Sequence, residues 1–470
     1  MVAAIVSVGT AHGLRRIAEP PAISHTLWMH WSATTPRYRS PFLGFLLLLA
    51  GTALASAQAP ALHAPDWSLL TGLVEPPAVS ARSYVVVDVE TETLLAAKQP
   101  DLIIPPASLT KIVAVDVALD AVERGELSLQ TRLNPPPEAW AVNQPPHSSL
   151  MFLGPDQVLT VEELLAGLVI SSGNDAAVAL AVLVSGSVPD FVARMNSRVA
   201  ELGLSNLYFE EPAGLSEDNY VTARDFARFL LAHLKRFPQA ARLYERERFT
   251  YPQESNQLGE LPPEQTIPPI TQSNRNLLLQ TDQTITGIKT GFIEASGYNF
   301  AVSAERDGRA VLAVILGIDA PNHAIGGEIR AATGAALLDY GYDAFELVTL
   351  GLPSPRTVPV YGGTVREVVP EVPPRVALVA PRYLIDRLEG RREQFDAVTA
   401  PFERSVIGNV SVFAEELELL RLPMLLPPVD EAGFLRRAGG AVVRTARRLF
   451  SDEQAVDGAD LEPAPATRSR

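Results

Sequence analysis

The sequence predicts an α+β protein, with a mixed, largely antiparallel sheet flanked by helices and followed by a smaller all-β module. Three observations carry this expectation. First, "YVVVDVETETLLAA", 84–97, reads as two strands around a turn, rich in β-branched residues and free of glycine. Second, helical signals recur over the next stretch. "LTVEELLAGLVI", 159–170, opens with Thr160 and Glu163 in capping-box register. It stops at "SSGND", where "DAAVALAVLV" begins another helix, and "TARDFARFLLAHL", 222–234, follows with Thr222 as its cap. Third, the apolar period switches to two around 286–317, where "YNFAVSAERDGRAVLAVILG" predicts a hairpin turning at Asp307–Gly308. A helix, "IRAATGAALLDYG", closes this region near 341.

Composition removes several functional classes. The chain has 470 residues, 47% of them apolar, enough for two domains and a sizeable core. It has no cysteine, so disulfides and thiol catalysis are excluded. A formal charge of −15 argues against a nucleic-acid partner, which would need a basic face. There is no H-E-x-x-H or comparable cluster and no G-x-S-x-G elbow, so neither a metal nor a cofactor is expected, and a Ser-His-Asp mechanism finds no support.

The N-terminus predicts export. Arg37 and Arg39 precede the apolar run 42–55, and "ASA" at 55–57 offers small residues for cleavage before Gln58. This order fits a secretory signal peptide and is short for a membrane span, with an uncleaved anchor as the alternative. Residues 1–28 fit neither picture, and Met29 is a candidate start. The expected division is an N-terminal extension and signal peptide at 1–57, a linker at 58–81 and a catalytic domain at 82–352. A β-sandwich at 353–430, an amphipathic helix at 431–450 and a disordered polar tail at 451–470 complete it.

Chemistry enters at "IPPASLTKIVAVDVALD", 104–120. The apolar run reads equally as a buried strand or as the first turns of a buried helix marked by Pro105 and Pro106. On a helix, Ser108 and Lys111 share one face, and a neutral lysine there can take the hydroxyl proton. Alone, S-x-x-K is a weak signal. Two further short motifs join it: Ser172-Gly173-Asn174 in the link between two helices, and Lys289-Thr290-Gly291 on a strand. Each singly reads as a turn or a strand end; in this order and context they form a set.

With "PASLTKI", "LMFLGPDQVLTVEELLAGLVISSGNDAAVALA", "GLSEDNYVTARDFA", "SNRNLL" and "GIKTGFIEASGYNFAVSAERDGRAVLAVILG", the chain resembles the low-molecular-mass penicillin-binding proteins that act as D-alanyl-D-alanine carboxypeptidases, from about residue 82 to 345. The resemblance implies a penicillin-binding, serine β-lactamase-like catalytic domain. It also implies a peptidoglycan stem peptide as substrate and β-lactams as covalent inhibitors. Ser108 would be the acylated nucleophile and Lys111 the favoured base. Ser172 would relay a proton to the leaving amine, and Asn174 would fix Lys111 and the substrate amide. Backbone N–H groups of Ser108 and Phe292 would form the oxyanion hole. Lys289, Thr290 and Gly291 would line the substrate strand. The family also uses an arginine seven residues before the "LL" of its closing helix, which falls on Arg330, although a solvated helix arginine is the alternative. Phe292 departs from the more familiar histidine after K-T-G. An ordinary lysine titrates at about 10.4, so bringing Lys111 to about 7 requires roughly 4–5 kcal/mol of destabilisation of its charged form; burial and Lys289 are expected to supply it.

The remaining sequence resembles the β-rich module of these enzymes more loosely. Pairs such as "TVPVYGG", "RVALVAP" and "VIGNVSVFA" predict a small sandwich. In "FLRRAGGAVVRTARRLF", 434–450, Phe434, Leu435, Ala438, Ala441, Val442, Ala446 and Leu449 share one side, with Arg436, Arg437, Arg444, Arg447 and Arg448 opposite. That pattern predicts a helix lying on an anionic membrane surface, with docking on its own domain as the alternative. At about 1 kcal/mol per basic residue, the arginines would contribute several kcal/mol before ordering costs. β-Lactamase or DD-endopeptidase activity at the same site is the nearest rival function. No E-x-x-L-N follows the second motif, so fast β-lactam hydrolysis is not expected. A catalytically silent peptidoglycan-binding protein is the rival of another kind.

Overall fold

A computed structural model describes residues 70–258, 268–450 and 462–465. The expected extension and signal peptide, and most of the polar tail, lie outside the described residues. The first strands are β1 (Ala81–Asp88) and β2 (Thr93–Lys98). Then come α1 (Thr110–Glu123), α2 (Val161–Ala166), α3 (Asn174–Ser185), α4 (Val188–Glu201) and α5 (Ala223–Arg236). Strands β3 (Ile285–Ile293), β4 (Gly297–Arg306) and β5 (Arg309–Ile318) precede α6 (His323–Asp343).

The five strands form one sheet in the order β2-β1-β5-β4-β3. Every neighbouring pair is antiparallel. Alternation along each strand divides its side chains between two cores. Val85 and Val87 of β1 join Leu312 and Val314 of β5 beneath the helical cluster, whereas Tyr84 and Val86 join Val311 and Ile315 on the face covered by α6. Burial on both faces explains why these strands read as unbroken apolar runs. The hairpin turns where the sequence predicts, with Asp307 and Gly308 at φ +51° and +77°, as a two-residue turn between right-twisted strands requires.

The ambiguous run after Pro106 is a helix. Its apolar residues are continuous because α1 is enclosed all round, every residue from Thr110 to Ala121 being buried. Its buried Asp116 is partnered by Arg198 Nε of α4 at 2.7 Å and by His233 Nδ1 of α5 at 2.8 Å, which ties α1 to both helices. The capping box at α2 forms as predicted: Thr160 Oγ1 accepts from the Glu163 N–H, and the Thr160 N–H donates to Glu163 Oε2. Thr222 likewise caps α5 by accepting from the Asp225 N–H.

Beyond α6, β6 (Phe345–Gly351) pairs with β7 (Arg375–Pro381), so this strand, which precedes the composition change at 353, belongs by pairing to the C-terminal module. A second sheet places β9 (Ser405–Ala414) between β8 (Leu388–Gln394) and β10 (Leu417–Leu426). Part of the expected disordered tail, Glu462–Pro465, adds antiparallel to β8. Separate apolar clusters fill the module, one around Leu350, Leu378 and Val412 and another around Val358, Ile407 and Met424. The helix predicted from the arginine-rich segment is α7 (Phe434–Phe450).

Candidate active site

Ser108 lies on a short 3-10 turn, Ala107–Leu109, that leads straight into α1. Ala107 holds φ at +51°, a conformation few non-glycine residues adopt. Ser108 is half-buried, whereas Lys111, one helical turn on, is fully buried. Lys111 Nζ lies 3.0 Å from Ser108 Oγ, donates to Asn174 Oδ1 at 2.8 Å and also donates to the Ala213 carbonyl. An amine so enclosed loses its hydration, and burial lowers Lys111 from the usual 10.5 to about 7. Glu211 and Asp175 pull it back up, and Arg275 pushes with burial.

The second motif arrives through an irregular helix end. After α2 the chain widens into a π-turn, Gly167–Ser171, and Ser172 takes φ +58° before α3 starts at Asn174. The next residue, Asp175, fixes this geometry. Its buried carboxylate accepts from the N–H groups of Met151, Phe152, Leu153 and Ala176, clamping a cleft-wall loop to the start of α3. Desolvation raises its pKa against the opposing pull of those four donors.

Strand β3 brings the third motif and is one of the two edge strands of the sheet. Lys289 Nζ donates to Ser172 Oγ at 3.0 Å and to the Thr290 carbonyl at 3.0 Å. Burial, then the charges of Lys111, Arg275 and Arg330, hold its pKa well below the ordinary lysine value. The repulsion expected from the second lysine therefore tells chiefly on Lys289. Gly291 lets β3 abut the nucleophile turn: a Cβ there would stand 2.8 Å from the Pro106 carbonyl oxygen and 3.1 Å from Ser108 N. Phe292 follows on the same strand. Its ring lies against Tyr298 and His323, with centroids 4.5 and 4.6 Å away.

Arg330 is not a solvated helix arginine. It is 7% exposed, and its guanidinium stacks over Tyr298 and Phe300 at 5.8 Å and donates to the Arg275 carbonyl. Burial first, then Arg275, lowers its pKa to about 10. The structure thus joins Lys111 to Ser108 and Asn174, and Lys289 to Ser172, with Thr290, Gly291 and Phe292 following Lys289 on β3 and the charge of Arg330 acting on Lys289.

A family profile described as Peptidase_S11, D-alanyl-D-alanine carboxypeptidase, matches residues 71–320. This chain belongs to that family. The D-alanyl-D-alanine carboxypeptidase DacC of Escherichia coli K12 is 30% identical over 415 residues, spanning 86% of this chain and 95% of that protein. DacA of the same organism is 34% identical over 301 residues, or 63% of this chain and 69% of that one. Penicillin-binding protein 5 from Haemophilus influenzae superposes with a TM-score of 0.67 at 29% identity, covering 76% of this chain and all of that structure. The expected penicillin-binding fold and serine D-Ala-D-Ala carboxypeptidase class are borne out.

Sequence reading left two charged residues of this carboxypeptidase without a role. Arg275 lies within the quoted "SNRNLL". The residue is exposed, yet its guanidinium is crowded enough that desolvation lowers its pKa, and its charge acts on Lys111, Lys289 and Arg330 alike. Glu211 lies just upstream of the quoted "GLSEDNY", and only its place in the folded chain sets it near Lys111.

Proposed function

We propose that this enzyme removes the terminal D-alanine from peptidoglycan pentapeptide through an acyl-enzyme on Ser108. The observation that carries the reading is the pair of lysine contacts: Lys111 reaches Ser108 and Asn174, while Lys289 reaches Ser172. In the acylation step, Ser108 Oγ attacks the carbonyl of the penultimate D-alanine as neutral Lys111 takes its proton. The N–H groups of Ser108 and Phe292 receive the oxyanion; losing one such donor typically costs about 10²–10³ in rate. The proton taken by Lys111 passes through Ser172, which is bonded to Lys289, to the leaving D-alanine amine, so Lys111 is neutral again. Water then attacks the ester as Lys111 takes its proton, and that proton goes to Ser108 Oγ as the acyl group leaves. Lys289, Thr290 and Arg330, with Arg275 beside them, supply positive charge and donors for the terminal carboxylate. β-Lactams enter as substrate mimics and leave a slowly hydrolysed penicilloyl ester on Ser108.

The same reading places the enzyme outside the cytoplasmic membrane, delivered by the N-terminal signal and held to the outer leaflet by α7. The exposure of Phe434 (74%), Leu435 (86%) and Val442 (68%) supports this attachment, because an apolar helix face left in water favours a lipid surface. Among the described residues no single helix is long and apolar enough to cross a membrane.

The test is D-alanine release from a synthetic pentapeptide, with peptide mapping of the adduct formed by labelled penicillin. Wild type is expected to release D-alanine and to carry the mass shift on the Ser108 peptide; Ser108→Ala is expected to do neither. Equal release by both proteins, or an adduct elsewhere, overturns the reading.

A further inference from the structure

The segment 209–219 packs against Ala107 and bonds to Thr110 and Lys111. Gly214, at φ +80°, packs so tightly that a Cβ there would lie 1.9 Å from the Ala107 carbonyl oxygen. One residue earlier, the Ala213 carbonyl receives the Lys111 amine. Glu211 holds this turn in shape. Its Oε2 accepts from the Ala213 N–H at 2.7 Å, and its Oε1 accepts from the Leu215 N–H at 2.7 Å and from Asn219 Nδ2 at 2.9 Å. Asn219 closes the loop by accepting from the Glu210 N–H at 2.7 Å and reaching Thr110 Oγ1, beside Lys111, at 3.3 Å.

Two acceptor oxygens are needed here, and a carboxylate supplies both. Among the described residues no arginine or lysine forms a salt bridge with it. Its partners are all N–H groups of its own loop, and that same loop carries the carbonyl that receives the Lys111 amine.

We propose that Glu211 is a positioning residue for the Lys111 base: its carboxylate locks the turn that holds the amine, and its charge sets how readily the amine is protonated. The inference rests on the acyl-enzyme reading above, and it assigns Glu211 a role that acts through Lys111 without touching substrate. Lys111 is faced by Lys289 from β3, Arg275 from the segment before it, Asp175 from α3 and Glu211 from this loop. Burial lowers the amine to about 7, and Glu211 is the largest influence opposing that fall, ahead of Asp175. Without it the amine would be a weaker base, with less driving force for taking the serine proton.

The experiment is the pH dependence, from 5 to 9, of second-order acylation by a fluorescent penicillin and of kcat/KM for D-alanine release. It uses the full chain and its Glu211→Gln, Glu211→Asn and Glu211→Asp variants, each checked for folding by near-UV circular dichroism. Removing the charge is expected to move the acid limb of both profiles to lower pH by about half a unit or more. Glu211→Asp keeps the charge on a shorter arm, so its limb stays near the wild-type position while its plateau falls. A purely structural role would lower plateaus and leave every limb in place. An unmoved limb in whichever neutral variant folds overturns the proposal. Wild-type protein that forms no adduct on Ser108 overturns the parent reading instead, so the two failures are distinguishable.

Discussion

At the scale of single residues, the base role proposed for Lys111 makes a direct prediction. In the proposed mechanism its neutral form is the base, and with a pKa of about 7 the neutral fraction falls roughly tenfold for each pH unit below that point. Acylation by penicillin and kcat/KM are therefore expected to rise to a plateau through an acid limb near 7; a limb near 10 would show an ordinary lysine. The same depression carries a stability cost. Between about 7 and 10.5 the unfolded lysine binds the proton that the folded one has lost, so this residue's stabilising contribution is present above about 10.5 and is lost as pH falls to about 7, by about 5 kcal/mol. Ser108, Lys111 and the two other motifs were legible because their spacing is local. Arg275 and Glu211 were not, since their influence on Lys111 depends on which distant loops fold against α1.

Among the elements, β3 and the nucleophile turn must meet with no side chain between them. Gly291→Ala would place a methyl group 2.8 Å from the Pro106 carbonyl oxygen. Relief requires the strand or the turn to move, and a shift of even 1 Å in a catalytic arrangement can cost about 10² in rate. Gly291→Ala is accordingly expected to slow acylation about a hundredfold with an unchanged circular dichroism spectrum; a wild-type rate would refute the close approach. Caps and the two-residue hairpin turn were readable because each is decided within a few residues, as at Thr160, Thr222 and Asp307–Gly308. The run after Pro106 stayed ambiguous for a physical reason: complete enclosure removes the polar face by which a helix announces its period.

Across the molecule, the β-rich module fills two apolar clusters of its own, while Phe345 of β6 and Val379 of β7 join the cluster under α6 and so share a core with the catalytic region. Arg382 links them by donating to the Tyr342 and Asp343 carbonyls at the end of α6. The module's position was visible in its valine-rich pairs. The membership of β6 was not, because pairing partners in a sandwich are set by topology rather than by adjacent sequence. The amphipathic α7 leads to a prediction about the whole enzyme. Since Leu435 and Val442 are exposed, Leu435→Asp combined with Val442→Asp is expected to leave D-alanine release from a soluble peptide unchanged while abolishing flotation with anionic vesicles. Retained flotation would move the attachment elsewhere.

Strand β3 forms the margin of its sheet, so one row of its amides and carbonyls is unused by its neighbour β4. A ligand that docks there by backbone pairing is gripped without regard to most of its side chains. In the proposed mechanism discrimination then falls to the last group of the chain, whose negative charge Arg330, Lys289 and Thr290 would receive. A pentapeptide amide should consequently occupy the groove and yet turn over far more slowly than the free acid, which competition against labelled penicillin would register as inhibition without product.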